Sequence, residues 1–475
     1  MLNQSQPKGF SIFFLTEMWE RYGFYVLQSL LVFYATQKLN LDDSATYAMV
    51  GSFTALAYIN SIFGGIIADK YFGYDKAILV GAATLCLGYL LLTIATSLNI
   101  FVLGLATVTM GTGLLKPNIS SMLSLLYKET PEKKEMGYTL FYVGIYFGAI
   151  GGSFLGGFIK TYLGWHAVFA SAAIGLATAF ITFKVGKAKF KLHDTREIPH
   201  SRVDNVKAFI AIFVLIAIAF IGIYNDTIAE WLFVIIAILS VAFILNNIKI
   251  HTGVERKKLI AFAILVVFSV LYWAVYFQQF FSVSLCTSRV THLTLPESSL
   301  TAFESLGVIL FGPLVNIFWL FLQKRDNDFS IPAKFSLSFL FNGISFFILV
   351  LGLYYAQNHG VKLNQLFIIM SYLIIALGEL FISPIGLAMV STLVPQRLNG
   401  AMMGIFLMSI GFGGKLAGYL AQSAVYDSSN ATLSTLQGVY RSSFETYAAF
   451  SFGIFILCVL AIKPIKKLIS GKNCD

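Results

Sequence analysis

Apolar runs of about 20 residues, long enough to cross the hydrocarbon core of a bilayer, recur along the whole chain with short polar stretches between them. This pattern predicts spans over 10–39, 45–68, 75–96, 99–126, 136–162, 164–184, 206–224, 228–248, 257–283, 298–322, 333–357, 363–393, 399–423 and 441–463, fourteen in all. Spans 206–224 and 228–248 hold no acidic or basic residue in their interiors, so they are expected to face lipid all round. They read as a hairpin inserted between two six-helix bundles.

The distribution of basic residues orients this map. With the N-terminus placed in the cytoplasm, 25 of the 33 Lys and Arg fall inside and 5 outside, and Arg21, Lys116 and Lys415 fall within spans. That asymmetry is the positive-inside pattern. It accounts for the net charge of +10 as topology, not as a nucleic-acid surface. The basic loops are then expected to be solvated and orienting. The longest inside segment, 184–202, joins the sixth and seventh spans. The expected division is a six-helix bundle over 1–184, a linker with the two-helix hairpin over 185–256, and a second six-helix bundle over 257–475.

Composition agrees with membrane residence. The chain is 57% hydrophobic and 12% charged, where soluble proteins carry about 25% charged residues. The first apolar run is too long for a cleavable signal and lacks a small-residue cleavage site. Cys86, Cys286, Cys458 and Cys474 are scattered without ligand spacing, so neither a disulfide framework nor a metal site is expected. No GxxxxGK[ST] loop is present, which argues against an ATP-driven pump. No span holds a His or an Asp in its interior, which argues against a membrane enzyme.

The charges that do lie at depth carry the chemistry. Glu17, Glu20, Arg21, Lys116, Glu304, Glu379 and Lys415 sit well inside spans. A charge there is costly unless paired or wetted, and it marks a pathway or a proton relay by default. Spacings of three and four put Glu17, Glu20 and Arg21 on one helix face. Four acids face three bases, so one acid is expected to take up a proton during a cycle. A zwitterionic solute would need a cation for its negative end and an anion for its positive end. Lys116 can supply the first and Glu379 the second. They stand in opposite halves, as alternating access requires. Charges at mid-depth in both halves suit an occluded site better than a continuous pore.

Five stretches bear a resemblance to known proteins. Gly64-Gly65-Ile66-Ile67-Ala68-Asp69-Lys70-Tyr71-Phe72-Gly73 resembles the inter-helix loop of the major facilitator superfamily, and its glycines are expected to let helices approach closely. The others are Glu17-x-x-Glu20-Arg21 with Tyr22-Gly23-Phe24-Tyr25; Gly111-Thr112-Gly113-Leu114-Leu115-Lys116-Pro117-Asn118; Phe141-Tyr142-Val143-Gly144-Ile145 with Gly148; and Gly378-Glu379-Leu380-Phe381-Ile382-Ser383-Pro384, continuing to Gly400-Ala401-Met402-Met403-Gly404. Together, in this order, they resemble the proton-dependent oligopeptide transporter (POT) family, bacterial type.

The resemblance implies an all-α membrane protein of the major facilitator fold, with two six-helix bundles plus two extra helices. It implies a proton-coupled symporter that imports di- and tripeptides, and no enzyme. It assigns proton coupling to Glu17, Glu20, Arg21 and Lys116. Substrate contacts fall on Tyr25, Gln28, Lys116, Tyr146, Gln278, Glu379, Ser383 and Phe406. The only coupling ion is the proton, with no cofactor. The partners are small peptides, protons and the lipid bilayer, with no nucleic acid, and the chain is expected to act as a monomer. The expected location is the bacterial inner membrane, with both termini in the cytoplasm.

Several positions depart from the family pattern. Gln28 stands where Arg is frequent, and Gln278 where Glu is usual. A Gln28–Gln278 hydrogen bond is expected in place of that ion pair. Tyr146 replaces an Asn, Phe406 a Trp, and Glu304 a Gln. For Glu304 two readings stand open: an ion pair with Lys415, or a Lys415 that extends toward the outer surface. These departures leave open the alternative of another small substrate on the same fold, such as an amino acid, a modified peptide or another small anion.

Overall fold

A computed structural model of the protein describes residues 6–192, 194, 202–325, 329–426 and 431–470. Much of the basic segment 184–202, with His193 and His200, and Cys474 lie outside the described residues. The described chain is helical almost throughout. In order the helices are α1 (Phe10–Gln37), α2 (Asp43–Ile67), α3 (Tyr74–Thr93), α4 (Leu98–Leu126), α5 (Lys134–Phe190), α6 (Arg202–Tyr224), α7 (Asp226–Ile250), α8 (Gly253–Tyr276), α9 (Ser282–Val290), α10 (Ala302–Gln323), α11 (Ile331–Asn358), α12 (Gln365–Leu380), α13 (Ser383–Leu393), α14 (Asn399–Ala421) and α15 (Leu433–Ser470). The only strands among the described residues are two residues long: Thr291–His292 pairs in parallel with Leu363–Asn364.

Twelve helical stretches among the described residues are long and apolar enough to cross a membrane. Two local features bring this to the fourteen expected. The three charges of Glu17, Glu20 and Arg21 lower the hydropathy of α1, although its 28 residues are long enough to span. Within the 57-residue α5, Gly164 adopts φ 85°, ψ −178°, which ends one helix and starts another. A residue with a Cβ is strained at that φ, so glycine is the residue that permits the reversal.

The chain packs as two compact units. The first comprises Met1–Asn40 and Ser52–Asp226; the second comprises Leu41–Gly51 and Thr227–Asp475. The first nine residues of α2 therefore count with the second unit, and the rest of that helix with the first.

In the first unit both arms of α5 clasp α1. A Cβ on Gly148 would strike Met18 O and the Arg21 side chain, and one on Gly152 would strike Tyr22 O. From the other arm, Gly175 lies against the Trp19 ring and Gly186 against Ile12. Helices α3 and α4 cross by pairing glycines, Gly81 with Gly111 and Gly88 with Gly104, where small residues bring backbones together. The motif glycines divide in their roles. Gly64 lies against the backbone of Gly113, but a Cβ on Gly65 would meet nothing within 4 Å. So only one of the adjacent pair serves the expected close approach.

Beyond α2 the chain makes a wide turn over Ala68–Phe72 and leaves through Gly73 at φ 74°. Helix α6 covers this turn, with Ala208 and Ile212 packed on Ile67, Ala68 and Phe72. The basic segments are not wholly solvated: Lys187 pairs with Asp75, and Lys76 hydrogen-bonds Asn205.

The close helix crossings make a direct prediction. A Cβ at Gly113 would stand 2.5 Å from Asn60 O and 2.6 Å from its carbonyl carbon, so Gly113→Val forces backbone apart. The expected loss is about 1–3 kcal/mol or more, as for overpacking of a filled core. Gly65→Val, with open space around it, serves as the control. Thermal unfolding of the purified chain should separate the two; equal midpoints would refute the crossing.

In the second unit, the predicted span 257–283 is interrupted. Helix α8 gives way to a single tight turn, Phe277–Phe280, and resumes as α9 after Phe281. The predicted span 363–393 breaks at Phe381 and Ile382, just ahead of Pro384. Helix α15 is longer than the apolar core of its span, by about two turns at each end.

Candidate functional site

In the first unit the site begins on α1. Glu17, Glu20 and Arg21 are 1%, 1% and 2% exposed. The two carboxylates are not equivalent. Arg21 grips Glu20 with a fork: its Nε donates to Glu20 Oε2, and its Nη2 donates to Oε1 at 2.6 Å. Thr112 Oγ1 adds a long contact to Glu20 Oε1 at 3.5 Å. Glu17 reaches only the edge of the same guanidinium, Nε to Oε1 at 3.6 Å, and its Oε2 is buried with no hydrogen-bond partner. The guanidinium is also capped by the Phe24 ring, 4.7 Å from its centroid. Arg21 is thus committed to Glu20, and Glu17 is the carboxylate left short of partners.

Lys116 is half-buried on α4, one residue before Pro117, with its ammonium 5.0 Å from the centroid of the Tyr58 ring. Its positive charge is close enough to act on Glu17. Asn118 buttresses this stretch, donating to Leu114 O at 2.7 Å and to Gly64 O at 3.3 Å. Tyr25 and Tyr146 are both half-buried, Tyr25 edge-on to Phe24 with ring centroids 5.6 Å apart. Gln28 is buried and donates to Thr54 Oγ1 at 3.3 Å.

In the second unit Gln278 lies in the tight turn after α8. It donates to Ala417 O at 2.8 Å and to Ala274 O at 3.3 Å, and accepts from Ser282 at 2.8 Å. Each glutamine hydrogen-bonds groups of its own unit. Glu379 is 9% exposed near the end of α12. Ser383 opens α13 and is half-buried. Phe406 of α14 lies over Gly386 of α13, where a Cβ would strike its ring. Glycine at 386 is what admits that ring.

The expected pairing of Glu304 with Lys415 does not form. Glu304 Oε1 accepts from the Tyr276 hydroxyl at 3.2 Å, and its Oε2 accepts from Ser305 at 3.0 Å. The same hydroxyl lies 3.1 Å from Glu379 Oε2. Lys415 faces elsewhere, 5.2 Å from the Tyr419 ring centroid and 5.8 Å from that of Phe233. Nor does it extend to water, for it is 5% exposed. Cation–π contact with two rings stabilises the ammonium at that depth.

Two features had no sequence signal. Tyr276 stood among several aromatic residues, and nothing in its spacing marked it as the bridge between two acids. Arg289 at the end of α9 grips Asp43 at the start of α2 with two bonds of 2.6 Å, and Tyr440 adds a contact at 3.2 Å. Opposite charges at two helix ends do not reveal in sequence that those ends meet. No group of three or more His, Cys, Asp or Glu that could hold a metal occurs among the described residues.

A family model described as the POT family matches residues 75–436, most of the chain. The chain belongs to the POT family. The dipeptide and tripeptide permease A of Serratia proteamaculans (strain 568) is 28% identical over 451 residues, 92% of this chain and 88% of the relative. A solved proton-dependent oligopeptide transporter superposes with a TM-score of 0.85 at 25% identity, over 97% of this chain and 99% of that one. The tetrameric PepTSo2 superposes with a TM-score of 0.86 at 26% identity, over 97% and 98%. The fold is therefore the all-α major facilitator fold that the POT motifs implied.

Proposed function

We propose that the chain is a proton-coupled symporter that imports di- and tripeptides by alternating access. The observation that carries this reading is the unequal pairing in α1: a buried arginine held by one glutamate, with a second glutamate short of partners and under the charge of Lys116. The names of the relatives, a dipeptide and tripeptide permease and a proton-dependent oligopeptide transporter, support the substrate and the coupling ion.

The cycle follows from charge. With Glu17 ionised, its negative charge attracts Lys116. A proton on Glu17 removes that attraction and frees the ammonium for the peptide carboxylate. Glu379 takes the peptide ammonium. Glu20 and Arg21 hold the frame of α1 while Glu17 titrates. Tyr25, Gln28, Tyr146, Gln278, Ser383 and Phe406 are assigned as further substrate contacts. Transport makes and breaks no bond other than O–H, so the role calls for no catalytic residue and no cofactor.

In this reading residues 1–184 and 257–475 are the two transport bundles, and 185–256 supplies the linker and the hairpin. Each chain carries a full set of these residues, so one chain is the transport unit. In the same reading both termini lie in the cytoplasm, which the charge asymmetry of the loops supports, and the bacterial relatives support an inner membrane.

Uptake of labelled dialanine into proteoliposomes tests the proposal. Accumulation should need an inward proton gradient, stop with an ionophore and be competed by tripeptides. Lys116→Ala should lower uptake by at least about tenfold, the cost of about 1.4 kcal/mol of lost substrate interaction. No peptide-specific uptake by a folded, reconstituted protein would move the assignment to another small substrate on the same fold.

A further inference from the structure

Glu304 and Glu379 come from different helices, α10 and α12, and both are buried, at 1% and 9% exposure. One hydroxyl, that of Tyr276, stands 3.2 Å from Glu304 Oε1 and 3.1 Å from Glu379 Oε2. The charge of Glu379 also acts on Glu304. Chemistry restricts how this can be arranged. A hydroxyl has one proton, so it can donate to only one of the two acids at a time. Ionised carboxylates are acceptors only. Two of them cannot both bond to one hydroxyl, and two like charges this close in a dry site cannot both persist. One added proton satisfies both contacts of the hydroxyl: Glu304 donates to the Tyr276 oxygen, and the Tyr276 hydroxyl donates to Glu379.

We propose that Glu304 and Glu379 form a second proton-binding site, in which one proton is shared between the two carboxyls and rides with the substrate. Glu304 holds the proton and donates it through Tyr276 toward Glu379. Glu379 keeps one negative charge, which matches one ammonium. Loss of the proton from Glu304 would leave two negative charges against a single ammonium. Proton and peptide are therefore taken up together and released together. The step moves one proton from the outer water to a carboxylate oxygen and later from that oxygen to the inner water, with no bond other than O–H made or broken.

An independent feature of the same place supports a site in use. The Tyr272 hydroxyl and both amide atoms of Asn342 are buried without a hydrogen-bond partner. Both groups adjoin Gly378, next to Glu379: a Cβ there would stand 3.2 Å from the Tyr272 hydroxyl and 3.5 Å from Asn342 Oδ1. Buried polar groups are ordinarily satisfied. Tyr272 also lies within range of the charges of both glutamates. Unsatisfied acceptors beside an acid pair, the Tyr272 oxygen and Asn342 Oδ1, are what an arriving ammonium needs. The titratable groups that face the pair are Tyr272 and Tyr276 from α8 and Tyr372 from α12; α11 contributes the neutral Asn342.

The role of the ammonium rests on the peptide reading above, so the test separates the two. The full chain in lipid, without substrate, is stepped in pH and its infrared difference spectrum recorded in the region of protonated carboxyl groups. Glu304→Gln keeps the volume and places at 304 the residue common in the family; its thermal midpoint checks that it folds. The expected result is a carboxyl band in the unaltered chain that is lost in Glu304→Gln and shifted in Glu379→Gln. In proteoliposomes the ratio of protons to dialanine should fall by one in Glu304→Gln. An unchanged band in both variants, or an unchanged ratio, overturns the proposal. If the band behaves as expected but the unaltered chain takes up no dialanine, the shared proton stands and the peptide assignment fails.

Discussion

Glu17→Gln should abolish accumulation of dialanine against its gradient while sparing most of the exchange of labelled for unlabelled peptide. The variant mimics the protonated acid permanently. It leaves Lys116 free for substrate at every pH, yet it can no longer load and unload a proton at this position. Net uphill transport needs that cycle; exchange at balanced peptide concentration does not. The signs are separable by pH. In the unaltered chain exchange should decline as pH rises and Glu17 ionises, whereas in Glu17→Gln it should be flat. Glu20→Gln should behave differently, because Glu20 holds Arg21 through the two-bond fork. Removing that partner leaves a buried guanidinium short of charge compensation, a loss of about 3–5 kcal/mol. It should lower the thermal midpoint by several degrees, which Glu17→Gln should not. If the two variants lose stability and exchange alike, the distinction between a coupling glutamate and a structural one is wrong.

That distinction was not legible in the sequence. Spacing put Glu17, Glu20 and Arg21 on one face, but adjacency along a helix does not say which acid the guanidinium chooses. The choice is set by what packs around it: Gly148 lets α5 press on the Arg21 side chain, and Phe24 lies under the guanidinium. The spans themselves were legible, because a bilayer demands long apolar runs and internally satisfied backbone. Even the reversal inside α5 falls at Gly164, next to the expected boundary.

Where the reading erred, depth was visible and rotation was not. The span map put Glu304 and Lys415 at a similar depth, which made pairing plausible. Each turns a different way about its axis, one to Tyr276 and Glu379, the other to Phe233 and Tyr419. The turn over Phe277–Phe280 likewise lacks the Gly or Pro that would have announced it. It is held by side chains, with Gln278 reaching across to Ala417 O.

That contact makes Gln278→Glu the most informative single change in the second unit. Gln278 is 0% exposed, and its Nε2 donates to two backbone carbonyls, those of Ala274 and Ala417. An ionised carboxylate has nothing to donate and would set its charge against both carbonyl oxygens. The expected cost is about 3–5 kcal/mol for an uncompensated buried charge. A protonated carboxyl, in contrast, can donate to one carbonyl and keep the bond from Ser282. The introduced glutamate is therefore tolerated best when protonated. Stability of the variant should be close to that of the unaltered chain at low pH and fall as pH rises through its titration, while the unaltered chain shows no such step at this position. Uptake should fail in the same direction. Thermal unfolding across pH 5 to 8 reads the difference, and a variant whose midpoint follows that of the unaltered chain throughout would mean that Gln278 supports the turn by shape and not by donating its hydrogen bonds.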